Sequence, residues 1–143
     1  MKITFILAFF TTFSANCAQF ESKTVNFQRF AAALAKVESY NNPKAIGDKG
    51  RAIGLLQIQS KCFQDACKYD KELAKFQYKD CFDSRVAVRV LYSYCSRYEP
   101  VALKNGDWET CAKLWNGGCN WRSKPAKVKI KLENYWQKVS SNL

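Results

Sequence analysis

Between residues 26 and 40 the apolar positions recur with the period of a helix. Phe27, Phe30, Ala31 and Leu34 fall on one face, and Glu38 lies near the middle of the same stripe. The pattern predicts a helix over Asn26 to Tyr40, stopped by Asn41-Asn42-Pro43, because proline disfavours the helical conformation in the residue before it. From Ala45 to Ile58 the periodicity dissolves into turns and short extended pieces. Gly47, Asp48 and Gly50 bend this segment and Gly54 allows a close backbone approach, as suits the floor of a cleft. A short helix is expected near Cys62. A longer one should start at Asp83 or Ser84, with Val86, Val90 and Tyr94 as its apolar line. Asp107 is placed to cap another helix ending at Asn116-Gly117-Gly118, and a last helix is expected over Glu133 to Val139. Strand signal is sparse, so the expectation is a mainly α, α+β fold with a small irregular or β element.

The position of Glu38 matters chemically. Burial against Phe and Leu disfavours its charged form, and the negative end of the helix dipole acts in the same direction. A carboxyl that keeps its proton near neutral pH is what general-acid chemistry requires. The competing reading is a helix-end Glu that reaches solvent, paired with Lys36 or Arg51. The chain has no histidine, which removes the common Ser/His and Cys/His nucleophilic systems and leaves carboxylates as the candidate chemistry. Glycoside cleavage needs two carboxyl groups in unlike environments. Asp48, ten residues on in a Gly-flanked turn, is the best second group; the bland alternative is a turn-capping Asp bonded to its own backbone.

Composition sets the surroundings. The first eighteen residues, MKITFILAFFTTFSANCA, run from one cation through an apolar stretch to small and polar residues, which is the order of a secretory signal peptide. Residues 19–143 then form a single domain, expected to be exported and monomeric. No later run is long and apolar enough to span a bilayer, so no stable membrane insertion is expected. The six remaining cysteines, Cys62, Cys67, Cys81, Cys95, Cys111 and Cys119, predict three disulfides, each stabilising by roughly 2 to 4 kcal/mol. Their spacing and the missing histidine argue against zinc, and neither metal nor cofactor is expected.

The charge is lopsided, with 23 Lys plus Arg against 12 Asp plus Glu, a net +11. Such a field draws polyanions, and an anionic bacterial surface is an expected partner. The stretch Arg122 to Lys131 reads as a basic loop; it lacks the interleaved aromatics of a single-strand nucleic-acid platform, so nucleic acid is not an expected partner.

The run Glu38-Ser39, Asn42-Pro43-Lys44-Ala45, Gly47-Asp48-Lys49-Gly50 and Gly54-Leu55-Leu56-Gln57-Ile58 resembles the ordered motif of the lytic transglycosylase and goose-type lysozyme group. Ala112 to Gly118, AKLWNGG, looks like the motif that closes the sugar cleft of those enzymes. CFDSRVAVRVLYSYCSRY, AKLWNGG and the closing Tyr135 to Val139, YWQKV, are similar to invertebrate-type lysozymes. The resemblance implies a disulfide-stapled lysozyme-like fold whose cleft binds peptidoglycan glycan strands. It implies Glu38 as the catalytic acid and Asp48 as the following aspartate. Gln57, Ile58 and Asn116 would bind substrate, and Trp115 would either stack on a sugar or fill the core. Gln59 departs from the pattern, since goose-type enzymes carry an additional Asp there.

These residues together suggest a secreted lysozyme that hydrolyses the β-1,4 bond between N-acetylmuramic acid and N-acetylglucosamine. A lytic transglycosylase forming anhydro-muramyl ends is the alternative within the same fold. A non-catalytic cationic antibacterial protein, or a lysozyme-derived glycan-binding protein without turnover, is the alternative of a different class.

Overall fold

A computed structural model describes residues 25–143. The expected signal peptide, residues 1–18, lies outside the described residues. Helix α1 covers 25–39 and leads into a three-stranded antiparallel sheet of β1 (Ile46–Gly47), β2 (Ala52–Ile53) and β3 (Ile58–Gln59). Ile46 pairs with Ile53, and Ala52 pairs with Gln59. Five helices follow: α2 (Ser60–Tyr69), α3 (Ser84–Tyr98), α4 (Pro100–Asn105), α5 (Trp108–Gly117) and α6 (Ala126–Ser140). The mainly α, α+β expectation holds.

The stop of α1 is sharper than a proline effect. Tyr40 and Asn41 take left-handed backbone angles, φ 54° and 63°. The Asn41 amide donates back to the Ala35 carbonyl at 3.2 Å, six residues earlier, which consumes a carbonyl that the helix end would leave unpaired. The buried stripe is the expected one: Phe30 and Leu34 are fully enclosed, and Phe30 stacks on Trp108 of α5 at 4.9 Å. Around it gather Val90 and Leu91 of α3 and Leu114 of α5.

Two of the predicted helix starts rest on side-chain caps. Asp83 accepts the Arg85 amide at 2.8 Å, and Asp107 accepts the Thr110 amide at 3.0 Å. The short helix α4 was not expected; it is six residues long with Pro100 in its first turn, too brief for its period to stand out.

Two expectations need correction, and a third finds no counterpart. The last helix begins at Ala126, after Pro125, rather than at Glu133. The basic loop read over Arg122 to Lys131 is accordingly a 3-10 turn, Trp121–Ser123, followed by the first turns of α6. Lysines conceal the apolar row of that helix, in which Val128, Leu132, Tyr135 and Val139 fall at helical spacing. Finally, among the described residues no two cysteines stand at bonding distance, where three disulfides were expected. Cys81, Cys95 and Cys111 are fully buried and pack as small apolar side chains. Burial pushes the Cys62 and Cys81 thiols up to about 12, away from thiolate chemistry.

Candidate active site

The last turn of α1 and the sheet are tied together by one hydroxyl. Ser39 donates to the Leu55 carbonyl at 2.7 Å and accepts the Asn42 amide at 3.1 Å, fixing the helix end against the β2–β3 turn. That turn is tight. Gly54 has φ +75°, and a Cβ there would fall 2.3 Å from the Cys81 carbonyl oxygen, so the backbones meet where no other residue fits. Glu38 and the turn residues are therefore held in fixed relation.

Glu38 is half-buried, and burial raises its carboxyl above the usual range. Tyr135 of α6 donates to Glu38 Oε1 at 2.5 Å and pulls in the opposite, weaker direction. The phenol keeps its own proton: burial, then the neighbouring Glu38 charge, pushes its ionisation far upward. Tyr135 thus works as a fixed donor that orients one carboxyl oxygen while leaving the other open for a substrate. Sequence reading quoted Tyr135 within the YWQKV block but gave it no role, because its partner is 97 positions away.

Asp48 has unlike surroundings. It sits in the exposed β1–β2 turn at φ 48°, ion-paired with Arg51 at 2.7 Å and accepting Gln59 Nε2 at 3.3 Å. The Arg51 considered as a partner for Glu38 is thus spent on Asp48. Gln59, the departure from the goose-type pattern, meets Asp48 as a neutral amide where an acid would repel it.

All six residues singled out in the sequence, Glu38, Asp48, Gln57, Ile58, Trp115 and Asn116, line one cleft of about 770 Å³. Their roles differ within it. Ile58 has no exposed surface, so a sugar can meet its backbone alone, and its carbonyl already accepts Tyr78 Oη at 2.8 Å. Gln57, at φ 50°, folds onto its own turn and donates to the Gly54 carbonyl at 3.1 Å. Its amide oxygen occupies the space over Gly47, where an added Cβ would lie only 2.0 Å away. Trp115 packs edge-on against Tyr94 at 6.0 Å and also lines the cleft. Asn116, exposed, closes the cleft opposite the sheet. Gly117 keeps that wall tight, since a Cβ there would fall 2.7 Å from the Trp121 side chain and 2.9 Å from Leu132. Among the described residues no three Cys, Asp or Glu side chains converge as a metal-binding set.

An acid of raised ionisation on a helix end, a small sheet as one wall and an Asn-Gly-Gly helix end as the other define a lysozyme-like glycan-cleaving domain. Residues 16–135 match the Transglycosylase SLT domain family, and the chain belongs to that family. The protein is an enzyme acting on peptidoglycan glycan strands. No curated protein and no solved structure matches the chain.

Proposed function

We propose that the protein is a lytic transglycosylase, cleaving the β-1,4 bond after N-acetylmuramic acid without consuming water. Glu38 gives its proton to the glycosidic oxygen as the bond from the muramyl C1 to that oxygen breaks, and the N-acetylglucosamine 4-hydroxyl leaves. The Glu38 carboxylate then takes the proton of the muramyl 6-hydroxyl as that oxygen closes on C1, giving a 1,6-anhydro end and restoring the acid. One carboxyl suffices for both transfers.

The observation that carries this reading over hydrolysis is the unequal state of the two carboxyls. Glu38 is the buried acid with a raised ionisation and an orienting phenol, while Asp48 is engaged by Arg51 and Gln59. Hydrolysis, the outcome expected from the sequence, keeps one point in its favour, since Asp48 lines the same cleft and its ion pair with Arg51 is exposed.

Mass spectrometry of products from purified peptidoglycan separates the two. Anhydro-muramyl ends, lighter by one water than reducing ends, are expected from the native protein, and Glu38→Gln should release neither. Reducing muramic ends as the main product would establish hydrolysis instead. The signal-like order of residues 1–18 supports action outside the cell.

A further inference from the structure

A second cavity, of about 490 Å³, reaches Glu38 from the side of α6 and shares Glu38 and Asn116 with the main cleft. Its α6 wall is made by Lys131, Asn134, Tyr135 and Lys138. Lys127, Lys131, Asn134 and Lys138 follow helical spacing along one exposed face. Among the described residues, none of the three ammonium groups is in an ion pair. The acid of this stretch, Glu133, is turned to Lys113 of α5 at 2.7 Å and to Gln137 at 2.9 Å. The opposite wall of the main cleft is different: there Lys61 and Lys68 of α2 flank Asp65, an acid on their own helix.

We propose that this α6 face binds the acidic peptide stem carried by the muramyl residue, with Lys131 and Lys138 taking two of its carboxylates beside the bond that Glu38 cleaves. This rests on Glu38 being the cleaving acid. Seven residues of helix separate the two lysines by about 10 Å along the axis, close to the reach of three extended peptide residues. The amides of Asn116 and Asn134 each offer a donor and an acceptor, which suits peptide bonds better than phosphate. The smaller volume fits a side branch, and leaves the longer cleft to the sugars.

The test compares native protein with a Lys131→Gln/Lys138→Gln double variant on glycan strands bearing stems and on the same strands after amidase removal of the stems. On stem-bearing strands kcat/KM should fall about tenfold, mainly through KM, as expected for two exposed charge pairs. The rate on stripped strands should hold, and Lys131→Arg/Lys138→Arg should recover the loss. Equal loss on both substrates, no loss on either, or native protein that treats both substrates alike would overturn the proposal. Calorimetry with a free acidic stem tetrapeptide reads the site without turnover: binding to native protein that the double variant weakens supports it, and absence of binding sinks it. A native protein inactive on both strands would sink the role of Glu38 while leaving that calorimetric result to stand by itself. Stronger competition by a polyphosphate chain than by the tetrapeptide would reassign the lysines to phosphate.

Discussion

Glu38 and Asp48 face the same cleft from two regions built on different principles. Glu38 stands on a long helix whose apolar stripe continues beneath it, so its surroundings are set by packing, and burial opposes its charge. Asp48 stands in a turn with three successive left-handed residues, Asp48, Lys49 and Gly50, where its surroundings are set by backbone geometry and by an exposed cation three residues on. The first region gives a carboxyl that gives up its proton less readily than a free glutamate. The second gives one whose oxygens are already bonded. Two acids of similar intrinsic strength are thus separated in role by desolvation on one side and by salt bridging on the other.

The largest expected effect falls on the helix side. Glu38→Gln preserves shape and removes the transferable proton, so turnover of purified peptidoglycan should drop about 10³-fold with an unchanged circular dichroism spectrum. Tyr135→Phe should come next. It removes a donor that favours the charged carboxyl, so the Glu38 ionisation rises further and the alkaline limb of the kcat/KM pH profile should move to higher pH. Loss of orientation should lower the optimum rate about tenfold; an unmoved alkaline limb would show that the phenol does not act through Glu38. Asp48→Asn should be milder, about threefold, because the turn loses its pairing with Arg51 while the proton path stays intact. A hundredfold loss there would erase the contrast and restore a two-carboxyl hydrolysis.

The smallest effect concerns stability. A carboxyl whose folded ionisation is raised contributes stability fully below the ordinary glutamate range, and loses it as pH rises through the raised value. Above the raised value that contribution is gone, so Glu38→Gln should melt about 2 °C higher there, with the gain vanishing in acid. Asp70 has the opposite sign. Its bonds to Arg89, at 2.7 and 2.9 Å, hold its carboxyl well below the usual range, so its contribution is present above the ordinary aspartate range and lost as pH falls. Melting curves of native protein and of Glu38→Gln across pH 3 to 8 would show both limbs.

Local signals carried much of this into view. The α1 stripe, the Asp83 and Asp107 caps, Gly54 as a point of backbone contact and the ordered motif blocks are all written within a few residues of one another. What escaped was long-range or masked. The partners of Asp48 are Arg51, three residues away but assigned to Glu38 in one reading, and Gln59, brought beside it by strand pairing. The apolar row of α6 lay under a run of lysines that resembled a loop. Ile58 closes a motif block beside polar Gln57, yet its side chain is wholly enclosed; position along a strand, which alternates between faces, decided that. The cysteine count spoke for bridges, and among the described residues no pair stands at bonding distance.

The bond from Tyr135 to Glu38 joins positions 97 apart. A growing chain that has emerged through α5 carries every motif block of the first half, yet its acid still lacks a phenol to steer it. Full cutting power is therefore a late product of folding, completed when α6 docks and brings the phenol to the acid.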